Sequence, residues 1–249
     1  MSFYKRLCHD HTFRRKFVIF ICICYSFLNL GISVALFGPT LLDLQQITGC
    51  RLDQVSMFFI SQTIGYMLSS IATGVVFDKF NKILQMFVPT FVLTGAVAAI
   101  PWCSIYELMV TIHFCKGFCF GFIDTVGNAI LLHIYVKEVK TYMQILHFMF
   151  AVGGIFSPII AAPFLSQENT GGQTGPVGNM TDRNQTNFTF NYLDLNSSNS
   201  NTSMMLSDDR SEVYKAYTIV AAISLSSAVS LLFLYLSSNE TTCPTVGSV

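Results

Sequence analysis

The chain has 249 residues, 52% of them hydrophobic and 11% charged, with a mean hydropathy of +0.53 and a formal net charge of zero. A soluble domain carries about 25% charged residues, so this composition excludes that class and reads as a multi-pass membrane protein. With no net charge, and no basic–aromatic clusters beyond the short amino-terminal segment, nothing points to nucleic acid as a partner.

Six apolar segments follow in chain order, at about 17–41, 55–77, 83–102, 106–135, 141–165 and 214–236. Each is long enough to cross a hydrocarbon core of ~30 Å at 1.5 Å per residue. Gly31, Gly65, Gly117, Gly121, Gly153 and Pro158 fall inside them, where membrane helices use such residues for close contact or kinks. The short alternating segments of a transmembrane β-barrel are absent. The pattern predicts an all-α membrane protein embedded in a lipid bilayer. A basic amino-terminal segment (1–16) leads into five helices (17–165), a polar loop (166–212), a sixth helix (213–236) and a tail (237–249).

Charge sets the expected orientation. Lys5, Arg6, Arg14, Arg15 and Lys16 precede the first helix, Lys79 and Lys82 lie in the loop after the second, and Lys137 and Lys140 lie after the fourth. The short loops on the other side hold only Arg51. The positive-inside bias predicts cytoplasmic amino and carboxyl termini. The expected location is the plasma membrane. The first apolar run is too long for a cleaved signal and is expected to serve as its own anchor. The loop 166–212 then falls outside, and it carries five glycosylation sequons, at Asn179, Asn184, Asn187, Asn196 and Asn201. Its composition cannot build a core. Cys50 and Cys103 are the one cysteine pair near the outer surface, where an oxidising compartment permits a disulfide. No cysteine–histidine spacing suggests a metal site, and no cofactor motif appears.

At about 100° per residue, the polar residues inside the apolar segments share faces. His113, Gly117, Phe120, Asp124 and Asn128 fall within about 80° of arc on the fourth helix, and Gln62, Tyr66, Ser69 and Thr73 within about 60° on the second. Tyr25, Asn29 and Ser33 align on the first, and Gln144, His147 and Ala151 on the fifth. Such stripes are expected to converge on a wet cavity, because polar groups facing lipid are penalised. Asp124 is too short and too deep to reach either surface, which marks it as a functional or gating carboxylate or a partner-bonded structural one. Lys116 is near mid-helix but long enough to snorkel. His113 and His147 read first as hydrogen-bonded packing residues. Asn29, Gln62, Asn128 and Gln144 are neutral hydrogen-bonders of the type that reads hydroxyl groups, so the set suggests a neutral polyol. Tyr66 is read equally as lining or as packing.

The stretch "GVVFDKFNK" (74–82) resembles the signature of the major facilitator superfamily between its second and third helices. Gly74, Asp78, Lys79 and Lys82 match, and the resemblance gives them a gating role. Asn81 stands where the pattern has a second glycine, a mild change because asparagine also tolerates left-handed geometry. "FGPTLLDL" (37–44), "GFIDTVGN" (121–128), "MQILHF" (143–148) and "SPIIAAPFL" (157–165) look like the superfamily branch that contains the sodium-dependent glucose transporters. That resemblance covers about 15–236 and places Asp124, Thr125, Asn128, Gln144 and His147 on motif positions. It implies the six-helix half of the superfamily fold, two inverted three-helix repeats. It also implies sugar transport by alternating access, with Na⁺ as the coupling ion. The superfamily fold has twelve helices, so the chain reads as one half, an isoform or fragment that pairs with a second half or with its own copy.

Two functions compete on these readings. One is sugar transport, with Asn29, Gln62, Tyr66, Asp124, Asn128, Gln144 and His147 as the substrate- and ion-binding set. The other is a non-transporting glycosylated membrane protein that modulates a full-length transporter. An enzyme is not expected, because no nucleophile–base set or phosphate loop appears.

Overall fold

The computed structural model describes residues 11–136, 138–165 and 210–240. Lys5, Arg6, Lys137 and the sequons Asn179, Asn184, Asn187, Asn196 and Asn201 lie outside the described residues. Seven α-helices account for nearly all of those residues: α1 (His11–Ala35), α2 (Leu41–Thr48), α3 (Leu52–Val76), α4 (Lys82–Ala99), α5 (Tyr106–Ile134), α6 (Val139–Ala161) and α7 (Arg210–Glu240). All but α2 are long and apolar enough to span a membrane. The end of the bundle carrying Lys79 and Lys82 is called the basic end below, and the opposite one the far end.

One boundary differs from expectation. The first apolar run was expected to stay helical to about residue 41, but α1 ends at Ala35 and a turn over 36–40 leads into the separate helix α2. Gly38 and Pro39 explain the break, since proline offers no N–H and restricts the residue before it. α2 closes on Gly49, whose φ of 62° is left-handed. Cys50 and Cys103 are free thiols.

Helix packing follows an inverted repeat. The most extensive contacts pair α3 with α5 and α1 with α6, and α4 with α7. Exchanging α1, α3 and α4 for α5, α6 and α7 maps this pattern onto itself. Burial obeys the same exchange: half of the apolar stretch is buried in both α1 and α5, against 22% in both α3 and α6. α1 and α5 are therefore the central helices, and α3 and α6 flank them.

Glycines set both close interfaces. A methyl placed on Gly117 of α5 would overlap the carbonyl of Gln62, and one on Gly65 of α3 would overlap that of Phe114. Across the other interface, Gly31 of α1 meets the Phe150 carbonyl and Gly153 of α6 meets that of Leu28. In every case the carbonyl belongs to the residue three before the partner helix's own glycine. The two interfaces share one register, and the pseudo-two-fold axis runs between them.

α7 docks on α1 through a different chemistry. Ser224 Oγ donates to Asn29 Oδ1 at 2.8 Å, Tyr25 Oη and Ser226 Oγ lie 2.5 Å apart, and Ser26 and Ser227 share a hydroxyl bond of 3.2 Å. Near the far end, Tyr217 Oη meets Thr40 Oγ1 at 2.9 Å. Interhelical bonds of this kind average about 0.6 kcal/mol, so the seam orients α7 more than it drives association.

The Gly117→Ala variant should lose about 1–3 kcal/mol, several degrees of unfolding midpoint, because its methyl meets backbone and cannot be accommodated by a rotamer change. Gly95→Ala, where nothing lies within 4 Å, should unfold at or slightly above the native midpoint. Thermal unfolding in detergent measures both; equal midpoints would contradict the glycine register.

Candidate functional site

The close approach of α3 and α5 carries Tyr66 to Asp124. A side chain at Gly121 would strike the Tyr66 carbonyl and Ser69 Oγ, so that glycine holds the two helices together one turn from Asp124. Tyr66 Oη donates to Asp124 Oδ2 at 2.6 Å. From the next turn of α5, Asn128 Nδ2 donates to Asp124 Oδ1 at 3.2 Å and to the Asp124 carbonyl at 3.0 Å. Each carboxylate oxygen therefore has its own neutral donor. Among the described residues no basic side chain pairs with Asp124, and the ion pair seen, Arg51 with Asp53 at 3.4 Å, is exposed at the far end.

Asp124 opens onto a cavity of about 430 Å³. α3 and α5 line one wall with Gln62, Thr63, Tyr66, Phe120 and Asp124; α1 and α6 line the other with Leu30, Val34, His147 and Phe150. The glycine register relates Phe120 to Val34 and Gln62 to Phe150, so the cavity lies on the pseudo-two-fold axis. Its chemistry is one-sided. The places of Tyr66 and Asp124 fall on Gly154 and Gly38 in the other repeat, which therefore supplies no second carboxylate. Two buried side-chain amide oxygens, Gln62 Oε1 on the lining and Asn128 Oδ1 behind Asp124, accept no hydrogen bond among the described residues. The wall thus offers one amide acceptor and a carboxylate on one side and aromatic faces above and across.

The sequence-derived set divides on these grounds. Gln62, Tyr66, Asp124 and His147 line the one cavity, and Asn128 supports Asp124 from the next turn. Gln144 is exposed one turn from His147 and does not line the cavity. Asn29 faces elsewhere: it is buried and accepts from Ser224 in the α1–α7 seam. The α1 stripe meets α7 and not the cavity, because a helical wheel shows which residues share a face and not which helix that face meets. Leu30, Val34 and Phe150 gave no polar signal that could have marked them in advance, and Thr63, whose hydroxyl donates to the Phe59 carbonyl, lies about 100° from Gln62 on the α3 wheel.

His113 and Lys116 stand apart from the cavity. His113 is fully buried; its Nδ1 lies 2.9 Å from the Met109 carbonyl, and its ring stacks on Phe58 at 5.0 Å. Lys116 does not snorkel. It is 1% exposed, with Nζ 5.8 Å from the Phe37 ring centroid and 5.4 Å from that of Phe120.

At the basic end, the motif at 74–82 forms a pinned loop. Asp78 and Lys79 are exposed, nothing approaches Gly74 within 4 Å, and Lys82 Nζ sits 4.9 Å from the Phe77 ring centroid. Asn81 does not use the left-handed geometry that asparagine tolerates. Its φ of −61° and ψ of 123° are extended, and its Oδ1 accepts from the Ile83 N–H, so it is the N-cap of α4. Gln85, which the motif does not include, donates through Nε2 to the carbonyls of Val76, Phe77 and Phe80 at 3.0–3.2 Å. One amide thereby holds the end of α3 and its loop against α4.

Comparison with known proteins agrees with this architecture. The family model of the Major Facilitator Superfamily matches residues 19–172. Major facilitator superfamily domain-containing protein 4A of Mus musculus is 38% identical over 145 residues, 57% of this chain and 28% of that protein. Protein 4B of Danio rerio is 32% identical over 168 residues, 67% of this chain and 30% of that protein. Sodium-dependent glucose transporter 1 of Homo sapiens is 32% identical over 151 residues, 59% of this chain and 29% of that protein. The matched region thus spans under a third of the length of these relatives. With six spanning helices in two inverted repeats and a family match over more than half its length, the chain belongs to the Major Facilitator Superfamily of membrane transporters.

Proposed function

We infer that the chain takes part in transport of a neutral, sugar-like polyol, coupled to Na⁺ by alternating access. It sits at the plasma membrane with cytoplasmic termini and a glycosylated outer loop. One observation carries this reading: a single cavity brings the Asp124 carboxylate, held by Tyr66 and Asn128, beside the unpartnered acceptor Gln62 Oε1 and the rings of Phe120 and Phe150. A sugar suits such walls, since its hydroxyls donate to amide oxygens while its C–H face rests on aromatic rings. Among the described residues no basic side chain pairs with Asp124, which leaves its carboxylate to a cation. The similarity to a sodium-dependent glucose transporter supports the same substrate and ion. Gly74, Asp78, Lys79 and Lys82 would gate the basic end.

A second reading, a non-transporting glycosylated modulator of a full-length transporter, draws on the open side of the cavity. Tyr66 is 39% exposed and Phe156 49%, a surface that a second six-helix body or a second copy would cover.

Radiolabelled hexose uptake into proteoliposomes containing this chain separates the two. The transport reading expects uptake above that of empty liposomes, stimulated by an inward Na⁺ gradient; uptake equal to empty liposomes would favour the modulator. The Asp124→Asn variant should retain some uptake while losing the Na⁺ stimulation, and stimulation of native size would remove Asp124 from ion coupling. In the same assay, Gln62→Leu should raise KM about tenfold, the equivalent of one lost hydrogen bond, with kcat little changed. An unaltered KM would show that Gln62 does not contact the substrate.

A further inference from the structure

A second cavity, of about 610 Å³, opens at the basic end between α1, α4 and α7. It shares no residue with the central cavity. Arg14 and Arg15 line it from the first turns of α1, where the apolar span Phe13–Ala35 begins. They therefore stand at the level of lipid headgroups. Deeper in, the walls become apolar, with Ile83 from α4 and Val229, Phe233 and Leu234 from α7. Val229 and Phe233 are 57% and 73% exposed, so the cleft opens sideways into the hydrocarbon. Ser226 and Ser230 donate to the backbone carbonyls of Ile223 and Ser227, and Arg14 and Arg15 are the cationic side chains of the lining.

We propose that this cleft is a binding site for one anionic phospholipid, with the headgroup phosphate on Arg14 and Arg15 and an acyl chain along Ile83, Val229 and Phe233. Charge decides the class of headgroup, because guanidinium groups hold phosphate and carboxylate through paired N–H bonds. The lateral opening decides for a lipid over a free anion, since a soluble phosphate would leave the apolar wall unfilled. The distance from Ser226 to Ser237 along α7 is about 16 Å, enough for a large part of one chain. The basic end is also the one expected to face the cytoplasmic leaflet, where anionic lipids concentrate.

The test compares unfolding midpoints of the full chain in phosphatidylcholine vesicles and in vesicles of phosphatidylcholine with phosphatidylserine. The native chain should gain about 5 °C from the anionic lipid. Arg14→Gln/Arg15→Gln should lose that gain, read against its own midpoint in phosphatidylcholine alone. Val229→Trp keeps both arginines but fills the cleft, and should lose the gain too. Lys16→Gln removes a neighbouring charge that does not line the cleft and should keep it. The proposal is overturned if the native chain shows no gain, if either cleft variant retains it, or if Lys16→Gln abolishes it. It is also overturned if inorganic phosphate gives the same gain in phosphatidylcholine vesicles, which would mark a free-anion site.

Discussion

Where Gly65 meets the Phe114 carbonyl and Gly117 meets that of Gln62, α3 and α5 lie closer than any residue with a Cβ would allow. Helices in a bilayer gain little from burying apolar surface, because lipid is equally apolar, and close backbone packing supplies the attraction instead. That packing also fixes register. A displacement of one residue along α3 would turn Tyr66 by about 100° and take its hydroxyl away from Asp124. The same geometry at Gly31 and Gly153 sets α1 against α6 and completes the far wall of the cavity. Two equivalent interfaces thus frame one site, while only one of them carries the tyrosine and the carboxylate.

The electrostatics follow from this asymmetry. A carboxylate at mid-helix costs about 2.5–3.5 kcal/mol on insertion scales. Hydrogen bonds to a charged group return about 1.5–3 kcal/mol each, so the Tyr66 and Asn128 donors offset that cost without neutralising the charge. Lys116, which with His113 is buried deep on α5, lies two turns from Asp124 near the rings of Phe37 and Phe120 and does not pair with it. The cavity consequently sets a carboxylate beside the amide oxygen of Gln62, the arrangement on which the proposed function rests.

Much of this was legible in the sequence. Apolar length gave the six spans to within a few residues at most ends, and the shared face of Tyr66 with Gln62 and of Asp124 with Asn128 survives in the cavity and its support. What was not legible depends on which helices meet. Asn29 lies on a polar stripe as regular as the others, yet its partner is Ser224, nearly two hundred residues on. α2 escaped notice because eight residues after Pro39 extend an apolar run without a new period of their own. Asn81 replaces the motif's glycine without using left-handed geometry, because its side chain caps α4. The apolar lining of Val34 and Phe150 owes its importance to packing, and Gln85 to the loop carbonyls that the fold brings to its amide.

The most direct measurement is equilibrium binding of radioactive sodium to the purified chain in detergent, native against Asp124→Asn, with urea-free unfolding midpoints confirming that both are folded. If the carboxylate held by Tyr66 and Asn128 is the cation-facing group of the cavity, the native chain binds sodium saturably and the variant does not. Equal binding by the two folded proteins, or none by the native chain, would contradict it.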